Sequence, residues 1–544
     1  MGTRQKFQWP TGLLVFGFLL SSGCTTQRQE AVPLDSRLVA DVNGQATNLV
    51  CPGAVGCEVS DGHFRVGAGK AVITPLVETW TDSNGNGQQD GDESFEDLNG
   101  NGIWDPVWIA GFGTGRAATG VHDDVWTRVI TMERGNTRLA VVSLDLVGLF
   151  HPDVVALRLA VQEAGLEFDH ITVASTHQHE GPDTMGIWGK SSFETGYDPH
   201  YIDFVIKQTV EALRQSLATM EMAAMRVGLG EASHLVTDTR LPEVMEQSIH
   251  TINFERSDGS VITSLVVWGN HPEALGNRNT LLTSDYPHYL REKMEAAQPG
   301  SVAVFFSGIL GGLTTTIGVN GCPDHDGVEQ CPQGTFERAQ YIGEGAAAVA
   351  LESLARADVV EDSSPELSFR RHAYMVGTTN PNFALGLILG ILSRRVYGDD
   401  GTKVEGDGLL ELRYEDLINE VWKLDTEVNS LHIGPVDILT VPGELYAELW
   451  LDGEEGVSLI ENPPGADYPN ANLEPALSSL LREDAIRIVV NQANDSLGYI
   501  IPQAQFDVEA PHAYEEDGQY GEENSLGYKA GPELFEAVQR MLEL

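Results

Sequence analysis

Short apolar runs separated by polar stretches dominate the chain. Runs typical of buried β-strands cover residues 139–146, 171–174, 265–268, 302–306, 438–441 and 486–490. Helical spacing follows the first run, over residues 153–164 after Pro152, and returns over residues 533–542. This alternation predicts a mixed α/β (α+β) fold in which sheets are flanked by helices.

Polar side chains suited to chemistry come directly after several of these predicted strands. His177 follows the strand at 171–174, His271 follows the one at 265–268, and Glu444 follows the one at 438–441. Loops at strand ends are where α/β folds place their sites, because a rigid sheet holds them. No linker divides the chain after residue 64. We therefore expect one large catalytic domain over residues 61–544, with its active site on these loops.

Histidine nitrogen and carboxylate oxygen are ligands of zinc, and a catalytic zinc site keeps one position open for water. Two histidines and one glutamate from three strand ends would build such a site. His177 with His179 is a weak signal by itself, because such a pair also serves as a catalytic dyad or has no special role. The presence of two further candidate ligands, His271 and Glu444, after other predicted strands favours a metal site.

The N-terminus has the pattern of an export signal. Arg4 and Lys6 precede an apolar run over residues 13–20 that is too short to span a bilayer. Ser21-Ser-Gly-Cys24 follows, which resembles a bacterial lipoprotein signal over residues 1–24 with Cys24 lipidated, although Ser21 stands where such signals usually have Leu. Residues 25–60 form a polar tether. We expect an exported protein: an outer-membrane or cell-surface lipoprotein anchored to the membrane surface, or a freely secreted protein.

Four cysteines remain after Cys24 and allow three pairings. The local pairs Cys51–Cys57 and Cys322–Cys331 are favoured because each closes a short polar loop and an oxidising compartment permits them. Four free thiols are the alternative.

The charge balance excludes one class of partner. Asp and Glu total 80 against 33 Lys and Arg, a net charge of −47. Nucleic acid is excluded because its phosphates need a basic footprint. The acidic balance suits calcium binding.

A segment over residues 82–93 has the spacing of an EF-hand calcium loop, with Gly87 at the sixth position. A second partial copy over residues 97–105 has Trp108 in place of the acid at the twelfth position. We expect the insert at 82–105 to bind structural Ca²⁺; a solvated acidic loop is the alternative. The predicted ligands of the first copy are Asp82, Asn84, Asn86, Gln88, Asp90 and Glu93.

Seven segments between residues 64 and 507 resemble, in order, motifs of the neutral (non-lysosomal) ceramidase family. The resemblance implies an exported zinc-dependent amidohydrolase of lipid metabolism that cleaves an N-acyl bond in a lipid-like substrate. Ceramide, hydrolysed to sphingosine and fatty acid, is the leading candidate. The segments are Gly120-Val-His122 through Thr127-Arg128, Ser143-Leu-Asp145, Thr176-His177-Gln-His179-Glu-Gly-Pro182, Asn270-His271-Pro272, Ser284-Asp285, Pro442-Gly443-Glu444, and Asn494 to Tyr499.

The resemblance also assigns roles to individual residues. His179 would act as general acid or base beside the metal. The implied zinc ligands are His177, His271, Glu444 and Tyr499. The implied substrate contacts or supports of the ligands are His122, Arg128, Asp145 and Asp285.

Two features depart from the family. Gly311-Gly-Leu-Thr314-Thr315 stands where the family has Gly-Asp-x-Ser-Pro, so Thr314 takes the place of an active-site serine, and Thr314, Thr315 or neither serves in catalysis. The chain also ends soon after Tyr499, so we expect no C-terminal immunoglobulin-like domain. Two other functions stay open: a zinc hydrolase acting on another amide or ester, and a catalytically inactive, calcium-stabilised surface lipoprotein that binds lipid or glycan.

The apolar stretch over residues 383–392 is too short to span a membrane. Its pattern favours a buried helix. An apolar surface that meets a lipid substrate is the alternative.

Overall fold

The computed structural model describes residues 48–544 except 54–56, 58, 320, 323–330, 399–400, 402, 405–421, 454–456 and 515–517. The expected export signal, including Cys24, and most of the tether lie outside the described residues. No helix in the described part of the chain is long and apolar enough to cross a membrane.

The described helices pack on the outside of the sheets. They are α1 (His151–Glu163), α2 (Pro199–Ala218), α3 (Tyr286–Ala297), α4 (Phe336–Leu354), α5 (Pro381–Ile388) and α6 (Ala530–Leu542). The strands are β1 (Asn48–Cys51), β2 (Phe64–Val72), β3 (Gly120–Val121), β4 (Trp126–Arg134), β5 (Thr137–Leu144), β6 (His170–Ser175), β7 (Glu221–Met222), β8 (Ala224–Glu231), β9 (Thr237–Asp238), β10 (Ser248–Glu255), β11 (Val261–Trp268), β12 (Leu281–Leu282), β13 (Val302–Ser307), β14 (Thr314–Thr315), β15 (Val360–Asp362), β16 (Leu367–Gly377), β17 (Tyr397–Gly398), β18 (Trp422–Ile433), β19 (Val436–Thr440), β20 (Glu444–Leu445), β21 (Ile486–Val490) and β22 (Tyr499–Ile500).

Three large sheets are built on the same four-stranded unit. Each unit has three consecutive antiparallel strands, and these are β2-β4-β5, β8-β10-β11 and β16-β18-β19. The fourth strand of each unit runs parallel to the third at the edge of the sheet; these edge strands are β6, β13 and β21. The unit therefore occurs three times, although the sequence has no repeat of fixed period.

The inner faces of the three sheets share one apolar core. Ile130 of β4, Phe254 of β10 and Leu431 of β18 are buried together there. Helices cover the outer faces: α1 and α2 on the first sheet, α3 and α4 on the second, and α6 on the third. This is the mixed α/β architecture, with sheets flanked by helices, that the sequence predicts.

The edge strands of the three sheets meet at the centre of the molecule. The hydroxyl of Ser307, the last residue of β13, donates to the carbonyl of Thr176, directly after β6, at 2.7 Å. The Asn491 N–H after β21 donates to the Ser307 carbonyl at 2.9 Å, and the Ser175 N–H donates to the Gln492 carbonyl at 3.0 Å. These bonds bring the carboxyl ends of the three parallel strand pairs, and the loops that follow them, to one place.

A buried ion pair joins the first unit to the second. Asp145 follows β5, and both of its carboxylate oxygens accept from the Arg291 guanidinium in α3, at 2.7 and 2.8 Å. The Asp145 carbonyl also accepts from the Gln178 side chain at 2.9 Å. Asp145 thus anchors the loop that carries His177 and His179.

The lead-in segment differs from the sequence prediction. Asn48–Cys51 lie within the predicted tether at 25–60, but they form β1 at the edge of the third sheet. Cys51 and Cys57 are bonded to each other and buried in the central core, and Cys322 is bonded to Cys331. The folded domain therefore includes residues before position 61.

The apolar stretch at 383–392 is half-buried. Ala384 and Leu387 of α5 pack into a core cluster, whereas Leu385 and Leu389 are 40% and 50% exposed. One face of the helix is therefore core, and the other is an apolar surface.

Replacing Arg291 by Met would leave the buried Asp145 carboxylate without its ion-pair partner, and we expect a loss of about 3–5 kcal/mol in the free energy of unfolding. Chemical denaturation measures this loss. Combining the change with Asp145→Asn removes the unpaired charge and should restore part of the stability.

The matched control is Arg356→Met, which breaks the exposed pair between Arg356 and Asp358 and should have little effect. A double variant as unstable as Arg291→Met alone would contradict this account of the pair.

Candidate metal centre

His177 and His271 each direct one ring nitrogen at the same carboxylate oxygen. Their Nε2 atoms lie 3.5 and 3.1 Å from Oε2 of Glu444. All three residues are buried, with exposures of 6%, 1% and 6%. His177 follows β6, His271 follows β11 and Glu444 follows β19, so each of the three sheets supplies one donor.

The other ring nitrogen of each histidine faces a backbone carbonyl. Nδ1 of His177 lies 2.5 Å from the Val147 oxygen, and Nδ1 of His271 lies 2.7 Å from the Thr314 oxygen. Because a carbonyl only accepts, Nδ1 carries the proton and Nε2 is free to bind a metal. His177 itself has a φ of +61°, a left-handed conformation uncommon outside glycine.

Tyr499 lies directly beside these donors. It belongs to β22, which pairs in parallel with β20, and Tyr499 stands opposite Glu444 in that pair. The ring centroids of Tyr499 and His271 are 6.4 Å apart. The four residues assigned as ligands by the family resemblance are therefore neighbours in the structure.

Burial and neighbouring charge set the protonation of the cluster. Burial opposes ionisation of Glu444, but His177 and His271 hold its pKa well below the usual range. Burial also works against a charged His271, yet Glu444 and Glu273 raise its pKa above the ordinary value. Both shifts favour a proton on His271 that faces the Glu444 carboxylate when no cation is bound, and a cation would displace that proton.

His179 lies against the same cluster. Its ring centroid is 5.0 Å from that of His177 and 5.6 Å from that of His271. It is 8% exposed, and neither ring nitrogen has a hydrogen bond within the described residues. Burial, with the charges of His177 and His271, holds its pKa well below the usual value. His179 is therefore a neutral imidazole with unsatisfied nitrogens.

The donor set fits zinc. Donor nitrogens of His177 and His271 lie within 4.8 Å of each other and of a ring nitrogen of His179, and Glu444 adds a carboxylate oxygen. His177, His271 and Glu444 are the donors that converge, and His179 stands beside them. Imidazole with carboxylate is the ligand chemistry of catalytic zinc sites. Buried nitrogens without partners are costly, and a bound ion with its water would satisfy them.

Sequence reasoning missed two residues that place His179. Arg116 donates to the carbonyls of Ala110 and His179 and pairs with Glu180 at 3.1 Å. Gly111 lies so close that a Cβ there would be 2.3 Å from the Cβ of His179. The sequence signal that could have indicated these two residues is the glycine-rich run at 111–115 directly before Arg116.

Thr314 and Thr315 present different groups to the centre. The Thr314 hydroxyl donates to the carbonyls of Ile309 and Leu310 at 2.9 and 3.2 Å, while its own carbonyl accepts from His271. The Thr315 hydroxyl donates to the Glu273 carboxylate. Glu273 was also missed, although it stands two residues after His271.

Three other predicted residues make their described contacts away from the metal donors. His122 stacks on Phe336 with centroids 3.6 Å apart. Arg128 pairs with Glu295. Asp285 caps α3, and burial raises its pKa to about 7.

No protein-family model and no curated protein matches the sequence. Solved structures match the fold, and two of them are ceramidases. One is neutral ceramidase from Pseudomonas aeruginosa, with 16% identity and a TM-score of 0.58 over 89% of this chain and 74% of that one. The other is a ceramidase complexed with C2, with 16% identity and a TM-score of 0.59 over 89% of this chain and 75% of that one. The chain has the neutral ceramidase fold.

The insert at 82–105 contains two loops that make the same hydrogen bonds. Asp82 accepts from the N–H groups of residues 85, 86 and 87, and Asp97 accepts from those of residues 100, 101 and 102. The sixth-position glycines, Gly87 and Gly102, have φ values of +74° and +77°. The second copy therefore has the conformation of the first.

The twelfth-position acid of the first loop has a counterpart in the second. Glu93 accepts from the N–H groups of Ser83 and Asp90, the second and ninth positions of its loop. Glu78 accepts from the N–H groups of the equivalent positions, Leu98 and Asp105, both at 2.9 Å. Trp108 stands at the twelfth position of the second loop and has no carboxylate. The carboxylate of Glu78, which precedes the first loop in the chain, therefore makes in the second loop the hydrogen bonds that Glu93 makes in the first.

Zinc affinity should fall as pH is lowered from about 8 to about 6. The pKa of His271 is raised, so His271 binds a proton more readily as pH falls, and zinc has to displace that proton. We expect a change of about tenfold per pH unit for each proton released. Competition with a chromophoric chelator measures it. His271→Ala should weaken binding and flatten the pH dependence, and an affinity independent of pH would contradict the displacement of that proton.

Proposed function

We propose that the protein is an exported zinc-dependent amidohydrolase that cleaves the N-acyl bond of a lipid amide, with ceramide as the leading substrate. The observation that carries the proposal is the convergence of His177, His271 and Glu444 on one point, with Tyr499 beside them. The neutral ceramidase fold agrees with it.

The residues of the site divide the chemistry between them. His177, His271, Glu444 and Tyr499 would hold the metal. When bound, zinc would supply Lewis acidity for an amide carbonyl and for the attacking water. His179, kept neutral by burial, would accept the proton of that water and return it to the amide nitrogen as the C–N bond breaks.

An apolar cluster around Tyr499 suits a lipid substrate. Tyr446, Ile501 and Phe506 are buried with Tyr499, and Leu313 packs against them. Phe112 meets the His179 ring edge-on, with centroids 5.1 Å apart. Apolar and aromatic side chains of this kind pack against acyl chains and exclude water from the scissile amide.

Purified protein should contain about one zinc per chain and release fluorescent fatty acid from a labelled N-acyl-sphingosine. His177→Ala should lose both the zinc and the release, because the remaining donors leave the metal under-coordinated. Circular dichroism controls for folding, and Arg356→Met, at an exposed ion pair, serves as the matched surface control.

The outcomes separate the candidates. Zinc without release from N-acyl-sphingosine would favour a hydrolase for another amide or ester, tested with a panel of both. Neither zinc nor release would contradict the proposal and leave the lipid- or glycan-binding lipoprotein.

The proposal of export, with Cys24 lipidated or the chain secreted, rests on residues 1–24. The bonded pairs Cys51–Cys57 and Cys322–Cys331 support it, because disulfides persist in oxidising compartments.

We also propose that both loops of the insert bind structural Ca²⁺. The first would use the ligands at residues 82–93. Support for a second calcium site comes from Glu78, which is 3% exposed. Its carboxylate accepts from two N–H groups of the second loop, as Glu93 does in the first. A bidentate glutamate is what the twelfth position supplies in such loops.

Calorimetric titration of chelator-treated protein with Ca²⁺ should therefore give about two ions per chain. Glu78→Gln should remove one and Glu93→Gln the other, because each loses its bidentate carboxylate. The isosteric control is Glu474→Gln, a buried glutamate outside the insert. If Glu78→Gln binds calcium as the unchanged protein does, the second site is wrong.

A further inference from the structure

Glu273 lies between Thr315 and His179. It is 4% exposed, and one of its carboxylate oxygens accepts from the Thr315 hydroxyl. The other oxygen, Oε2, lies 3.4 Å from Nδ1 of His179. This separation is slightly longer than a hydrogen bond, and catalytic hydrogen bonds often tighten only when a site is occupied.

We propose that Glu273 is the positioning residue of His179: held by Thr315, it accepts the Nδ1 proton and so directs an unprotonated Nε2 toward the metal centre. The catalytic role of this orientation rests on the proposed function. The geometry of the three side chains does not depend on it.

Backbone contacts fix the three segments relative to one another. The His179 N–H donates to the Pro272 carbonyl at 3.1 Å, and His271 and Thr315 form a parallel β-bridge. On its other side the His179 ring is limited by Gly111, where even a Cβ would collide with it. The ring therefore has little room to move, and the Glu273 carboxylate decides which nitrogen carries its proton.

Orientation matters because a histidine can accept a proton only through an unprotonated nitrogen. With Nδ1–H facing Glu273, Nε2 keeps its lone pair and is the nitrogen left to accept a proton from the reacting water. The opposite tautomer would present an N–H there and leave His179 without the lone pair that the proposed mechanism needs.

The isosteric change Glu273→Gln separates position from charge. The amide oxygen still accepts from Thr315, which turns the amide NH2 group toward Nδ1 of His179. An NH2 group donates, so Nδ1 must become the acceptor and the proton moves to Nε2. The ring stays in place with its tautomer reversed.

The first measurement is long-range ¹H–¹⁵N correlation NMR on zinc-loaded, ¹⁵N-histidine-labelled protein, with the His179 signal assigned by its loss in His179→Gln. We expect the Nδ1–H tautomer in the unchanged protein and Nε2–H in Glu273→Gln. Nε2–H in the unchanged protein, or no change in Glu273→Gln, would overturn the proposal. This readout needs no substrate, so it decides the inference even if the amidase assay fails.

The second measurement compares turnover with zinc binding. Glu273→Gln should lower kcat about 10-fold to 100-fold, with KM unchanged. Zinc affinity should change by less than about tenfold, because Glu273 acts on the metal site only through its charge. Thr315→Val should lower kcat less, and Thr315→Ser, which keeps the hydroxyl, should restore it. Glu474→Gln is the control for loss of a buried carboxylate elsewhere.

Two results of the second measurement would contradict the inference. A loss of zinc affinity in Glu273→Gln of about tenfold or more would make Glu273 a metal ligand. A second zinc per chain that Glu273→Gln removes would make Glu273 and His179 the donors of another ion.

Discussion

The three edge strands β6, β13 and β21 meet at the centre of the molecule, and their buried backbone groups have to be satisfied there. Buried N–H and C=O groups left without partners are costly, so the sheets bond to one another at this point. The Ser307 hydroxyl and the N–H groups of Asn491 and Ser175 make those bonds. Since side chains that follow strands in three sheets are thereby brought together, the metal centre depends on this junction.

The centre is polar but enclosed by apolar packing, and this combination gives it its chemistry. His177, His271 and Glu444 are stabilised there because Nδ1 of each imidazole donates to a backbone carbonyl and Nε2 of each approaches the Glu444 carboxylate. The left-handed backbone of His177, with φ at +61°, is held by the surrounding bonds. A divalent cation would replace the proton on His271 and satisfy the same groups.

Much of this arrangement was predictable from strand ends, and some was not. Apolar runs marked the strands before His177, His271 and Glu444, and the order of motifs pointed to the fold. The threefold repeat of the four-stranded unit was hidden because it is a repeat of hydrogen-bonding topology, which unrelated apolar sequences satisfy equally well. Glu273 was missed for a related reason: its partners, Thr315 and His179, are distant in sequence, so no local pattern joins them.

The central claim is that one zinc ion sits where the three sheets meet, and anomalous diffraction at the zinc edge tests it most directly. The account predicts a single strong peak about 2.0–2.2 Å from Nε2 of His177, Nε2 of His271 and the Glu444 carboxylate, with Tyr499 as the fourth ligand and His179 uncoordinated. A zinc peak elsewhere, or one coordinated by His179 in place of Glu444, would contradict it.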